Sequence, residues 1–273
     1  FLWSGIALGA LAGCALAIFE RFVEGAPRAR GYTHPIQFGN LSLALGVFCL
    51  AGLGWAIDQK QKRLWTVFML AGFFAGGIGS LLSGSRGGWV GLPLILLVLY
   101  RCYQPWLTPG YVFASIIAIG LLAGAAYSVP ESGVKARVKQ TVSDVEQYLE
   151  GNAATSVGAR FKMWEGAALM IAEKPLTGWG ETGYVSQMEM LVKRGSFPDF
   201  ISQYTHAHNE YLDVFAKRGL FGFVALLLLY FGPLRLFLKR STVDDLSTRS
   251  IAAGGAVLCM AYIGFSLSQS FLS

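Results

Sequence analysis

Charge is what this sequence has least of. Charged residues fill 14% of its 273 positions, against roughly 25% in an average soluble domain. With 54% apolar residues and a mean hydropathy of +0.50, the composition excludes an ordinary water-soluble globule. Paired carboxylates are scarce as well. No Asp-x-Asp falls in the regions assigned below to the outer side of the membrane, and Asp244 and Asp245 are adjacent on the other side. The oxygen cage that Mg²⁺ or Mn²⁺ requires therefore has no candidate. No glycine-rich loop followed by lysine is present, so the common cradle for nucleotide phosphates is missing. The sequence thus predicts neither metal nor any other cofactor. Of the four cysteines, Cys14, Cys49 and Cys259 lie in apolar segments and Cys102 at the edge of one. That placement suggests no disulfide framework, and without CxxC spacing or a neighbouring histidine a zinc site is not expected. Internal repeats and low-complexity tracts are absent. The net charge of +6 suits anionic lipid or phosphate, and no nucleic-acid partner is expected.

What the sequence has in quantity is apolar runs near the roughly 20 residues that cross a bilayer. They predict spans at about 1–19, 36–57, 64–83, 87–104, 109–128, 219–238 and 250–272. The expected fold is an all-α polytopic integral membrane protein with about seven transmembrane helices. Phe1 opens inside an apolar run, so the sequence is read as part of a longer protein, and no signal peptide is assigned. One extended polar region, Val129 to Arg218, carries tryptophans and helix-like pieces and is expected to be a folded loop. The predicted organisation is therefore transmembrane helices over 1–128, a large loop over 129–218, and C-terminal transmembrane helices over 219–273. The basic connections "DQKQKR" (58–63) and "RLFLKRSTVDDLSTR" (235–249) mark the cytoplasmic side. Alternation then puts residues 20–35, "SGSRGG" and the whole of 129–218 on the opposite side.

Every polar feature with chemical potential falls on that opposite side. In "LLSGSRGGWVGL", Ser85 and Arg86 sit among small residues that admit close approach of a backbone or ligand. An arginine at a membrane segment is costly and points to a site, although a snorkelling interfacial arginine fits the same pattern. In "GARFKMWEGAALMIAEKPLTGWGETGY", Arg160 heads an amphipathic helix that Pro175 and Gly178 terminate. Arg160, Met163, Trp164 and Ala167 share a face of it. Guanidinium and indole together could hold a phosphate beside a sugar; an arginine packed on a tryptophan is the plainer alternative.

The stretch "QYTHAHNEYLDVFAKRGLFGF" is the densest. Asn209 can cap a helix through "EYLDVFAKR", whose residues Glu210, Asp213, Lys217 and Arg218 would form a polar face at the interface. Gly219 and Gly222 would let the chain bend into the next span. His208 then lies at the boundary of water and lipid. An ordinary imidazole titrates near 6.5, so it could accept a proton there, or it could serve only as a structural hydrogen-bonding group. His206 is its partner or a loop residue. Arg28, Arg30 and His34 in "RARGYTHPIQFGN" read either as further site residues or as interfacial anchors.

These residues resemble a known family. His208-Asn209, nine residues, then Gly219-Leu220-Phe221-Gly222 is similar to the histidine motif of bacterial O-antigen ligases. "SRGGW" at 85–89 resembles the Ser-Arg-Gly motif of the wider O-antigen ligase and polymerase superfamily, and "RxxxW" at 160–164 with "PLxGWG" at 175–180 resembles its large-loop signature. The resemblance spans about 30–273 and implies a GT-C-like membrane glycosyltransferase with a large helical periplasmic loop. The implied reaction moves O-antigen polysaccharide from undecaprenyl pyrophosphate to a sugar hydroxyl of lipid A–core, at the periplasmic side of the bacterial inner membrane, in lipopolysaccharide biosynthesis. Under that resemblance His208 is the base. Arg86 and Arg160 stabilise charge developing on the leaving pyrophosphate, with Arg30 a weaker third. Asn209, Trp164, His206 and Ser85 are expected to contact substrate. The implied partners are the undecaprenyl-pyrophosphate-linked glycan, lipid A–core and membrane lipids. Single displacement would invert the anomeric carbon. An O-antigen polymerase and a protein O-oligosaccharyltransferase share the donor and differ in acceptor. A lipid or sugar transporter would spread ionisable residues through its spans, which this sequence does not do.

Overall fold

The computed structural model describes residues 1–85, 87–104 and 134–271, with isolated positions 110, 124, 127 and 128 between them. Its elements, in chain order, are helices α1 (Leu2–Ile18), α2 (Pro35–Ala51), α3 (Leu53–Asp58), α4 (Lys62–Ser83), α5 (Leu92–Tyr103), α6 (Val134–Leu149), α7 (Ser156–Glu173), α8 (Gly180–Lys193), α9 (Glu210–Arg240) and α10 (Leu246–Phe265). Among the described residues there is no strand. Among the described residues, five stretches are long and apolar enough to span a bilayer: Leu2–Val23, Pro35–Asp58, Lys62–Ser83, Glu210–Arg240 and Leu246–Phe265. A shorter apolar stretch, Gly87–Tyr103, begins with a turn of 3₁₀ helix. The chain is an all-α, multi-pass membrane protein. The span expected at 109–128 lies outside the described residues.

Two units can be told apart, Phe1–Val134 with Tyr230–Phe265, and Lys135–Leu229 with Ser266–Ser273. In the first, α2 packs on α4 through small residues. A Cβ on Gly76 would stand 2.6 Å from the Cα of Gly46, so only glycine admits this approach of two backbones. Close packing of this kind holds helices together where lipid offers no hydrophobic driving force. Helix α2 starts at Pro35, a residue suited to the first helical turn, and the His34 side chain caps it by accepting from Ile36 N–H at 3.3 Å.

The second unit is built around α7 and α8. Thr155 caps α7, its Oγ1 accepting Gly158 N–H at 3.0 Å. Met163, Ala167 and Met170 recur at helical spacing and pack with Tyr184, Met188, Ile201, Ala207 and Ala216. Burying each methionine contributes roughly 1.5–3 kcal/mol by the usual side-chain transfer scale.

Two expectations need correction. The last apolar span, expected over 250–272, ends as α10 at Phe265. Ser266 O accepts Glu210 N–H at 2.8 Å, and the Glu210 carboxylate takes the Phe271 N–H. Those bonds hold residues 266–271 at the head of α9 in place of a further helical turn. Second, the polar face of 210–218 is for the most part not solvated. Glu210, Asp213 and Lys217 are 0%, 1% and 3% exposed, and only Arg218 lies open.

Candidate functional site

The second unit gathers Arg160, Trp164, His206, His208 and Asn209. Arg160 and Trp164 stand one turn apart on α7, and both are half-buried. Trp164, on the same face as the arginine, reaches the histidine turn through its bond to Ala207 O, and the Tyr204 ring meets that of His208 edge-on at 6.1 Å. The His206 and His208 rings are 4.3 Å apart.

A turn places His208, and two elements clamp that turn. His208 adopts φ 50°, the left-handed region that L-residues enter at a cost of about 1–3 kcal/mol unless the surroundings enforce it. The enforcement is visible on Ala207. Its N–H donates to Asp213 Oδ1 at 2.8 Å, and its carbonyl accepts Trp164 Nε1–H at 2.9 Å. On the other side of His208, Asn209 Oδ1 accepts the N–H groups of Tyr211 and Leu212 at 3.1 and 3.2 Å. This is the capping geometry that starts an α-helix. Asn209 therefore acts on backbone, and its Nδ2 also donates to Leu267 O at 3.3 Å.

Asp213 does a second job. Its other oxygen pairs with Lys217 Nζ at 2.9 Å, one helical turn on, and Lys217 also pairs with Glu181 at 2.7 Å. Nζ lies 5.1 Å from the centre of the Tyr184 ring. A lysine this buried is tolerable only because two carboxylates and a ring face compensate its charge.

The nine-residue spacing between Asn209 and Gly219 has a structural meaning. It is the length of the helical segment that runs from the cap to the bend in α9, where Gly219 has φ 65° and ψ −165°. "PLTGWG" docks on that bend. Leu220 N–H donates to Pro175 O at 2.8 Å, and Trp179 N–H donates to Ala216 O at 3.0 Å. A Cβ on Gly219 would run into Leu176 O and lie 2.7 Å from Gly178 N. Gly219→Ala is accordingly expected to destabilise the protein by at least the roughly 1–3 kcal/mol of that backbone strain. Gly232→Ala, with open space around its new methyl, should cost nothing. Thermal unfolding of the two purified variants checks this, and equal midpoints would contradict it.

Electrostatics separates the cations. Among the described residues Arg160 forms no ion pair, and its burial pulls its pKa below the ordinary arginine value, with the Tyr204 interaction opposing. A half-buried guanidinium without a carboxylate favours an incoming anion. Burial likewise lowers the pKa of His206; Asp213 opposes this and Lys217 adds to it. His206 therefore stays neutral to lower pH than a free imidazole. Among the described residues no cluster of three or more His, Cys, Asp or Glu could hold a metal ion.

The remaining predicted residues lie in the first unit. Ser85 is buried, its N–H donating to Ser83 Oγ at 3.1 Å and its hydroxyl directed at Asn40 Oδ1 at 3.5 Å. Arg30 is exposed, with its backbone N–H donating to Glu20 Oε2 at 2.7 Å. Arg86 lies outside the described residues. Sequence reading missed Tyr204, Ala207 and Glu181, and it took Asp213 and Lys217 for a solvated face. Their four-residue spacing, favourable for an acid–base pair, was the available signal.

Comparison with known proteins adds three findings. A family model described as O-antigen ligase matches residues 71–227. An uncharacterized protein of Haemophilus influenzae is 33% identical over 265 residues, 96% of this chain and 66% of its own length. A protein of Escherichia coli named O-antigen ligase is 23% identical over 193 residues, 69% of this chain and 43% of its own length.

Proposed function

The chain belongs to the O-antigen ligase family, and on that premise we propose that it transfers a glycan from a lipid pyrophosphate to a sugar hydroxyl on a lipid-anchored acceptor. In full, the donor is O-antigen polysaccharide on undecaprenyl pyrophosphate and the acceptor is lipid A–core. The reaction takes place at the periplasmic side of the bacterial inner membrane. The family match and the named Escherichia coli relative support a ligase- or polymerase-type transfer. The observation that carries the finer reading is Arg160, half-buried and without an ion pair among the described residues, one turn from the Trp164 that holds the His208 turn through Ala207 O.

His208 takes the proton of the acceptor hydroxyl as the oxygen attacks the anomeric carbon. The bond from that carbon to the pyrophosphate oxygen breaks, and its electron pair leaves with the phosphate. Arg160 stabilises the resulting negative charge with its two-pronged donors, which are worth more in a partly desolvated site than in water. Arg86 enters from the sequence alone as a second cation, with Arg30 behind it. Ser85 is kept as a substrate contact on the same sequence grounds. Trp164 and Asn209 act by fixing the histidine turn. A single displacement inverts the anomeric centre.

Reconstitution tests the reading. Purified protein in liposomes, supplied with lipid-linked glycan and lipid A–core, should yield lipopolysaccharide carrying the glycan. Product formed only on a second lipid-linked glycan would make the protein a polymerase. Product found only on a serine or threonine of an added protein would make it an oligosaccharyltransferase.

A further inference from the structure

Beside His206 lies a cleft of about 570 Å³, lined by Glu181, Thr182, Val185, Ser186, Thr205, His206 and Lys217. Three segments of the second unit build it. Glu181, Thr182, Val185 and Ser186 form two adjacent four-residue steps on α8, Thr205 and His206 come from the turn before His208, and Lys217 comes from α9.

Most of the lining surface is apolar, as in an ordinary ligand pocket, and several polar groups converge on it. Three residues bring hydroxyls, one a carboxylate, one an imidazole and one an ammonium. An acyl or polyprenyl chain would desolvate the Thr182 and Ser186 hydroxyls without giving them partners. A pyrophosphate is disfavoured too, because Lys217 already carries both Asp213 and Glu181 at 2.9 and 2.7 Å. The formal charges of the lining, Lys217 and Glu181, cancel. What complements apolar surface that carries both donors and acceptors, with its formal charges cancelled, is a ligand with apolar C–H faces and a rim of hydroxyls: a sugar ring.

We propose that this cleft seats the acceptor sugar whose hydroxyl is glycosylated. The inference rests on the proposed glycan transfer and adds to it a division of labour. The anionic donor linkage goes to Arg160, and the uncharged acceptor ring goes to the cleft between α8 and the histidine turn. The 4.3 Å between the His206 and His208 rings brings a sugar lying against His206 next to the proposed base. Thr205 Oγ1 lies 3.3 Å from His206 Nδ1, so the imidazole is already fixed on one nitrogen. Glu181 is the member best suited to choose between sugars. Its carboxylate is 54% exposed, with Oε2 held by Lys217 at 2.7 Å and Oε1 3.5 Å from Arg218, and each oxygen keeps a lone pair for a sugar hydroxyl.

Thr182 and Ser186 are exposed, and among the described residues neither side chain forms a hydrogen bond. Thr182→Val and Ser186→Leu therefore strip hydroxyls and fill the cleft without disturbing the clamp on Ala207. The measurement is saturation-transfer NMR on the detergent-solubilised protein with two probes. One is the core oligosaccharide from rough lipopolysaccharide of the source bacterium, and the other is the repeat-unit oligosaccharide released from the lipid-linked donor. The expected result is transfer to the core oligosaccharide, weakened tenfold or more in affinity by Ser186→Leu and by Thr182→Val with Ser186→Leu. The repeat unit should be unaffected. His208→Ala should keep this binding while losing glycan transfer, so failure of the cleft and failure of the catalytic reading give different results. Core oligosaccharide that does not bind, or that binds the filled cleft as well as the native one, overturns the proposal. So does selective loss of the repeat unit, which would give the cleft to the donor glycan.

Discussion

Replacing His208 with alanine is expected to lower glycan transfer about 10²- to 10⁴-fold, the usual contribution of a positioned proton acceptor. In free energy this is about 2.7–5.4 kcal/mol of transition-state stabilisation. The loss should appear in kcat, with little change in the amount of folded protein. Alanine can occupy the same left-handed turn, since the clamps on Ala207 and the Asn209 cap act through backbone and neighbouring side chains. His208→Gln separates two roles. Glutamine can hydrogen-bond to a hydroxyl but cannot take its proton, so a glutamine variant as weak as the alanine variant identifies proton transfer. One that restores most of the rate identifies hydrogen bonding alone. Wild-type turnover in the alanine variant would remove His208 from the chemistry.

Asp213→Ala is the second large effect. It removes the acceptor of the Ala207 N–H and leaves Lys217 with only the exposed Glu181. Breaking a buried ion pair by deleting one member costs about 3–5 kcal/mol. Because Glu181 persists, the lower end of that range is expected. The His208 turn loosens with it, so transfer should fall with stability. Asp213→Asn combined with Lys217→Met restores an oxygen for Ala207 and removes the stranded ammonium. The pair should recover most of the lost thermal stability and much of the transfer. Were Asp213→Ala to unfold at the native temperature, the clamp would be incidental.

The sequence made some of this legible and hid the rest for physical reasons. Apolar runs expose bilayer-spanning helices because lipid imposes both length and composition, and α1, α2 and α4 fall close to the runs that predict them. The end of α10 was hidden. Nothing in "SLSQSFLS" announces that the buried Glu210 carboxylate, 61 residues earlier, draws the backbone of Phe271 toward it. The spacing of His208, Asn209 and Gly219 could be read because it encodes a cap, a helical segment of fixed length and a bend. The burial of Asp213 and Lys217 could not. A charged helical face looks the same in sequence whether water or two carboxylates satisfy its lysine. Tyr204 carries no motif, and its edge-on contact with His208 depends on the folding of residues 199–209 against α7.

The proposed mechanism requires Arg160 and His208 to serve one reaction from one place. The most direct measurement is a structure of the protein with its lipid-linked glycan donor bound. Pyrophosphate oxygens are expected within about 3 Å of the Arg160 guanidinium nitrogens, the length of a charge-assisted hydrogen bond. The anomeric carbon should face the His208 side of the site. A donor whose pyrophosphate lies away from Arg160, or whose sugar is remote from the histidine turn, would contradict it.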